Sequence, residues 1–507
     1  MPSNHTFRVT PHRQKPTGNP RSVFILETDN WDDFGHKVNF ALTFIDKDGE
    51  KHVIGPVKVL QRERSESQDP VVALTTLLPT TFLELGDHFI SLGQQDDYYK
   101  NLRELFAEKV DGVLVALRDI AWQPILAEPF ETTTAFRNAL MRNNGAHRAR
   151  KFGRAWALGE PFSEQLSFRY LGKVEGADQP VEVQFAFDGS DALPGRVIGI
   201  IGRNAVGKTR FLSSLGEDLA QISRTSAERI AERENRFPDG RPLFNRIIAI
   251  SYSAFDKFKR PPSDDSSSYI YCGIRNERGS LSQTSLFETY LSNQERIRNR
   301  NRGPEWPGMA RNGPEWTKHM QTILGDLSGS LSARLDNEIS APSDDDQALS
   351  FLSSGQSILC HFVTALLAWI QPNTLVLFDE PETHLHPNAV ASLFLVLTDI
   401  LCNYDSYAVI ATHSPVVIQE IPANRVIVFR RTENITVAES LQLESLGESV
   451  TELTRHVFET IEVESLYRRT LKELSIFEPA ETVLAKFSKV LSLSAQAYLL
   501  AQYGRRN

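Results

Sequence analysis

Cysteine is scarce in this chain of 507 residues, with three in all, at Cys272, Cys360 and Cys402. An odd, widely spaced set builds neither a disulfide framework nor a Cys-rich zinc site, and it points to a reducing, cytoplasmic compartment. Long hydrophobic runs are missing too. Asp, His or Gln interrupts the longest apolar stretches before they reach the roughly 20 residues of a spanning helix, so no membrane segment is expected. Met1 to Pro20 is polar and basic without an apolar centre, which argues against a secretory signal and reads as a flexible tail. Positive charge does not dominate either. Lys and Arg total 55 against 64 Asp and Glu, a net charge of -9. That balance argues against a uniformly basic nucleic-acid binder and leaves room only for a local basic patch. Sustained heptads are absent, so no long coiled-coil arm is predicted.

What is there suffices for a packed protein. Hydrophobic residues make up 41% of the chain, and the length accommodates roughly three to four ordinary domains. From Ser22 to Leu60 alternating text separated by polar turns such as Asp46–Gly49 reads as a small antiparallel sheet. Residues 73–125 read as largely helical, and the Arg-rich stretch 140–155 as a surface link. "LSFRYLGKV" and "VEVQFAFD" alternate as strands, and "GRVIGIIG" is a short buried strand. After it, Phe211, Leu215, Leu219 and Ile222 share one helical face. Another buried strand follows at "RIIAISYS". Polar residues 257–350, with Gly303–Trp306, Gly313–Trp316 and an Asp-rich tract, read as a partly helical insertion. Beyond it, strands and helices alternate with near-continuous apolar strands, which means an α/β fold with a mainly parallel sheet flanked by helices. The expected segments are 1–155 as an N-terminal β/α extension, 156–256 and 351–440 as two parts of one core, 257–350 as the insertion, and 441–507 as a helical end.

Four phrases in this core carry chemistry. Gly202, Arg203, Asn204, Ala205, Val206, Gly207, Lys208 and Thr209 match G-x-x-x-x-G-K-[ST], the phosphate-binding P-loop, between a strand and an amphipathic helix as the mechanism requires. Successive backbone N–H groups and the helix N-terminus would receive the phosphates of ATP. Lys208 would neutralise the β- and γ-phosphates, and Thr209 would offer a hydroxyl to Mg²⁺. "LVLFDEPE" ends a buried strand in two carboxylates: Asp379 is placed for the Mg²⁺ shell and Glu380 to polarise the attacking water. Taken alone, that phrase reads equally as exposed acids before a proline turn. Ser354, Gly355 and Gln356 open a helix with a broad apolar face, and Ser354 is a good N-cap residue. They are either a simple helix cap or a tip that reaches the γ-phosphate held by another subunit. His413 follows the strand "YAVIAT" and reads either as a satisfied histidine or as a γ-phosphate and water contact. His384 and His386 suggest a contact loop more than metal ligands.

The phrases "DEPETHLHP" (379–387), "ATHSP" (411–415) and "SLGESVTELTRHVFET" (445–460) resemble ABC-type ATPases of the non-transporter branch. That branch includes the heads of structural-maintenance-of-chromosomes proteins, RecF-type repair ATPases and overcoming-lysogenization-defect nucleases. The similarity is greatest to Septu-like and retron-associated anti-phage ATPases, and it covers residues 160–460. It implies a P-loop NTPase of ABC type with an antiparallel β subdomain. It also implies a homodimer clasping ATP and Mg²⁺ head to head, with roles on Lys208, Thr209, Ser354, Asp379, Glu380 and His413. One departure stands out: where a transporter has a glutamine after the second strand, this chain has Tyr252–Asp256. Asp256 is then either a residue near the metal and water or a surface acid.

Beyond Phe458 the remaining residues are too few for a toprim nuclease domain, and no HNH-like or Cys/His zinc cluster is seen. The leading expectation is therefore an ATPase controlling a separate effector protein, a nuclease or a toxin, in antiviral defence. A DNA-repair or DNA-structure clamp is the alternative. For it, nucleic acid would meet the cations at 296, 298, 300, 302 and 311 or at Arg142, Arg148, Arg150, Lys151 and Arg154.

Overall fold

Aromatic and alternating apolar residues build the first third of the chain. The computed structural model describes residues 5–14, 18–29, 35–63, 72–160, 166–189, 194–220, 226–253, 256–262, 267–275, 283–302, 312–324, 352–458 and 466–504. The chain divides into two units, 1–447 and 448–507. In the first unit, β1 (Thr6–Thr10), β2 (Val23–Thr28), β3 (Asn39–Ile45), β4 (Lys51–Gln61), β5 (Thr81–Phe82) and β6 (Phe89–Gly93) form a six-stranded sheet in the order β5-β1-β2-β3-β4-β6. All pairings are antiparallel except β1 with β2. Helices α1 (Asp96–Phe106), α2 (Val110–Ala116) and α3 (Asn144–Leu158) pack on it, and Phe7, Phe24, Leu42, Tyr98, Tyr99 and Trp156 share one core.

Three expectations change here. The predicted tail contains β1, whose Phe7 is fully buried and stacks on Phe24 and Phe82. The stretch 73–125 is not largely helical: β5 and β6 precede α1, and only 96–116 is mainly helix. The Arg-rich stretch is no surface link. Its Ala146, Ala149, Gly153 and Ala157 recur at helical spacing and face α1, where a Cβ at Gly153 would meet Tyr99 Cζ at 2.8 Å. Arg148, on that helix, is buried and donates from Nη1 to the Leu243 carbonyl at 2.6 Å.

The core that follows begins with an antiparallel ribbon, β7 (Ser167–Gly172) with β8 (Val181–Ala186). Then come β9 (Val197–Gly202), α4 (Lys208–Ala220), α5 (Ala227–Glu234), β10 (Arg246–Ser251), β11 (Tyr269–Gly273), α6 (Gln283–Arg302), α7 (Asn312–Leu324) and α8 (Ser354–Trp369). The last elements of this unit are β12 (Thr374–Asp379), α9 (Pro387–Asn403), β13 (Tyr407–Thr412), α10 (Pro415–Ile418), β14 (Val426–Thr432) and β15 (Ile435–Ser440). Seven strands line up as β11-β10-β12-β13-β9-β14-β15, parallel throughout except for β15. β9, β10, β12 and β13 are buried at every position, which is why their central residues are almost all apolar. This is an α/β fold built on a mainly parallel sheet, and the G-x-x-x-x-G-K-[ST] loop joins its strand β9 to helix α4.

Within the stretch read as an insertion, Tyr269–Gly273 joins the main sheet as β11, parallel to β10. Its flanking Ser and Asp residues mask a five-residue strand in the sequence. The insertion's described helices, α6 and α7, pack against α8. The first Gly-Pro-Glu-Trp repeat, Arg311 and the Asp-rich tract at 344–346 lie outside the described residues.

The second unit is helical, with α11 (Val450–Phe458), α12 (Leu466–Phe477), α13 (Ala480–Ala485) and α14 (Leu493–Gly504). Leu471, Val483, Ala495 and Leu499 form its small core. Among the described residues no helix is long and apolar enough to cross a membrane.

Candidate active site

Parallel strands gather their C-terminal ends on one side of a sheet, and the chain after each such end is where polar groups can meet. β9, β12 and β13 lie side by side in this sheet, and the chemistry-bearing phrases follow all three. After β9, the loop turns through two left-handed residues, Ala205 (φ 67°) and Gly207 (φ 100°). At Gly207 a side chain is excluded as well, because a Cβ would fall 2.2 Å from Val174 Cγ1. The loop feeds α4, whose first residues are Lys208 and Thr209.

Lys208 is 5% exposed, and its ammonium donates to the carbonyls of Gly202 (2.9 Å) and Arg203 (3.2 Å). Glu380 Oε1 stands 3.8 Å from it. Burial holds this lysine below its ordinary pKa, and the neighbouring charges of Glu380, Asp379 and Glu382 pull the other way. Thr209 Oγ1 donates to Asp379 at 2.8 Å from one carboxylate oxygen and 3.1 Å from the other. Asp379 is 1% exposed, and burial pushes its carboxyl up to about 7 despite the Thr209 hydrogen bond.

Glu380 leaves β12 in the left-handed region (φ 50°), an uncommon place for a residue with a side chain. Its N–H donates to Ala411 O at 2.8 Å, which keeps the turn in register with β13. Across that junction the His413 imidazole Nδ1 contacts Glu380 Oε2 and lies 3.3 Å from Glu382 Oε1. Glu382 Oε1 also accepts from the Thr412 hydroxyl and from the His413 N–H at 3.2 Å. Burial, with the charge of Glu380 next, pushes Glu382 up to about 7. Sequence reasoning assigns Glu382 no role. The signal was present in the phrase itself, as a second carboxylate two residues beyond Glu380. Glu380, Glu382 and His413 bring their ligand atoms within 4.8 Å of one another.

Ser354, Gly355 and Gln356 open α8, but the N-cap is Ser353 rather than Ser354. Gln356 N–H donates to Ser353 Oγ at 3.3 Å and Ser353 N–H to Gln356 Oε1 at 3.0 Å, a reciprocal capping box. The first of two adjacent serines takes the cap because a glutamine stands three residues later. Ser354 is then left exposed at the helix tip. A Cβ at Gly355 would come 3.3 Å from the His384 carbonyl, so this tip lies against the loop that follows the acidic pair. In that loop His386 caps α9, accepting from Asn388 N–H at 3.4 Å. Asp256 is not a surface acid: it is buried and accepts from Arg260 Nη2 (2.5 Å), Tyr271 OH (2.8 Å) and Phe258 N–H (3.2 Å). Tyr252, at the transporter-glutamine position, is buried edge-on to Phe378.

Residues 285–419 match the protein family described as "AAA domain, putative AbiEii toxin, Type IV TA system". Over 513 aligned residues the chain is 28% identical to protein ea59 of Escherichia phage lambda, covering 95% of each chain. Among solved structures, it is similar to an ATP-binding subunit of an ABC transporter (16% identity, 58% of this chain and 99% of that one, TM-score 0.31). Another is an SMC head bound to the C-terminal winged-helix domain of ScpA (12% identity, 55% and 98%, TM-score 0.28).

Proposed function

We propose that this chain binds and hydrolyses ATP, and that two copies clasp the nucleotides head to head. The convergence of Lys208, Thr209, Asp379, Glu380 and His413 after three adjacent strands carries the reading. The donor set suits Mg²⁺: a hydroxyl and a buried carboxylate, both hard oxygen ligands, already sit within 3.1 Å of each other. Thr209 and Asp379 would hold that ion, which when bound neutralises phosphate charge. Residues 202–209 would receive the phosphates on backbone N–H groups, with Lys208 turning from its carbonyl partners towards them. Glu380 would draw the proton of the attacking water, and His413, at its side, would orient Glu380 and the γ-phosphate. Ser354, exposed beyond a self-satisfied capping box, and the half-buried Gly355 beside it would complete the pocket of a second subunit. The active form would then be cytoplasmic, and ATP state would govern a separate effector, a nuclease or toxin, in antiviral defence. The toxin–antitoxin wording of the matched family and the phage relative support that last step.

The test uses Glu380→Gln in sedimentation experiments with and without ATP and Mg²⁺. A dimer that forms only with ATP and is abolished by Ser354→Arg is expected. A Glu380→Gln protein that stays monomeric with saturating ATP, or a Ser354→Arg protein that still dimerises, removes the shared-pocket reading.

A further inference from the structure

Between Glu131 and Glu160 the chain has no acid, yet it carries Arg137, Arg142, Arg148, Arg150, Lys151 and Arg154. In a protein of net charge -9 that is a strong local reversal of sign. Helix α3 sorts it into two faces. Ala146, Ala149, Gly153, Trp156 and Ala157 are buried on one side, and Arg148 is tied inward to Leu243. His147, Arg150, Lys151 and Arg154 fall at spacings of three, four and seven, so they form one stripe on the opposite side. At 1.5 Å of rise per residue the stripe runs along about 10 Å of helix axis.

Ring faces hold this stripe in place. Arg154 lies over Trp122 at 5.2 Å, Lys151 over Phe152 at 4.9 Å, and Arg150 over Phe136 at 5.3 Å. Stacking of this kind limits side-chain freedom while leaving N–H edges available to an acceptor. Arg150 also pairs with Glu131. Lys151 and Arg154 are exposed and meet no carboxylate among the described residues.

We infer that this face of α3 binds the sugar–phosphate backbone of a nucleic acid, read by charge and not by base. Fixed cations along about 10 Å of helix can reach two or three successive phosphates of one strand, whose charges rise about 3.4 Å each along the duplex axis and lie farther apart through space. A lipid surface fits less well. An interfacial helix needs a broad apolar face to insert, and here the apolar face of α3 is committed to the protein core. The surface belongs to the N-terminal extension, so the inference stands apart from the proposed ATP site and does not depend on it.

The experiment measures fluorescence anisotropy of a labelled mixed-sequence duplex DNA with the full chain across a salt series. Binding that weakens with salt is expected. Lys151→Glu with Arg154→Glu should lower affinity about tenfold or more and reduce the log–log salt slope by about two, one for each phosphate contact given up. Lys51→Glu, a charge reversal on β4 of the same extension, should bind like the parent. If the double reversal unfolds by circular dichroism, Lys151→Gln with Arg154→Gln gives the same reading with a smaller loss. Parent protein that ignores the duplex, or a folded double variant with unchanged affinity and slope, overturns the inference. So does binding to anionic phosphatidylserine vesicles that depends on Lys151 and Arg154 while the duplex is not bound.

Discussion

Two sheets of nearly equal size stand in the same unit, and they place polar chemistry differently. In the seven-stranded sheet the strands run parallel, so their C-terminal ends collect on one side. Lys208, Asp379, Glu380 and His413 meet there although their strands are far apart in sequence. The six-stranded sheet is mostly antiparallel, and its strand ends alternate between its two sides. Among the described residues its one such cluster, Asp46, Glu50 and His52, comes from the single hairpin of β3 and β4 and not from several strand ends, and its concentrated positive charge sits on the outer face of α3. Direction of pairing thus separates a pocket-forming sheet from one that serves as a support.

The two regions are also joined. Asn144, at the start of α3, accepts from Arg241 Nη1 (3.0 Å), donates from its side chain to Leu219 O (3.1 Å), and from its backbone to Ser268 Oγ (2.8 Å). Leu219 is near the C-terminal end of α4, the helix that begins with Lys208. One helix therefore has the candidate phosphate site at its start and the N-terminal extension at its end.

The largest effects should come from the pocket. Glu380→Gln should leave ATP binding intact and lower kcat about 10²- to 10³-fold, whereas Lys208→Ala should weaken ATP binding itself. Equilibrium binding of a fluorescent ATP analogue beside single-turnover hydrolysis separates the two. Glu380→Gln hydrolysing at the parent rate would remove Glu380 as the water-activating residue. Glu382→Gln touches the same junction one step back. It should slow turnover about ten- to a hundredfold through a displaced His413, with ATP affinity kept; a rise in the apparent Kd with kcat unchanged would speak against that role.

The seam between the regions should respond less. Arg148→Ala removes the 2.6 Å donor to Leu243 O and leaves that carbonyl only the long 3.5 Å bond from Asn373 Nδ2, at a cost of about 1 kcal/mol. Hydrogen exchange should then report the six-stranded sheet opening independently of the seven-stranded one. If both still open together, the contact between them does not rest on Arg148.

The sequence discloses the pocket far better than it discloses the extension, for physical reasons. A P-loop is local: its strand, turn and helix occupy consecutive residues, and the parallel strand β13 beside it has an apolar centre because both its faces are covered. Residues such as Phe7 and Tyr269 are different. Each sits in a five-residue strand whose partner lies at a distance along the chain, and neighbouring polar text hides it. The helix α3 was concealed by its arginines, although its alanines and glycine kept helical spacing. Ser353 and Ser354 differ only by a glutamine at the third position beyond, and the geometry of Gln356 decides which of them caps. How residues 1–155 and 257–350 serve the proposed activity was not legible.

The smallest effect tests the supporting sheet through a proton. Asp97, in the first turn of α1, is pushed up to about 7 by burial and by Asp96, against the favourable field of a helix N-terminus. Its ordinary value is 3.8. As pH rises through that value the unfolded chain gives up the proton first, while the folded chain keeps it until about 7. Stability therefore falls as pH climbs from 4 towards 7 and levels off above. Asp97→Asn removes the ionisation and should stabilise the protein by about 1 kcal/mol at pH 8, with a much smaller gain at pH 4, where both states are largely protonated. Urea melts at the two pH values measure the difference. Equal gains at both would mean that the substitution acts through packing, and that the six-stranded sheet carries no buried charge cost at this helix.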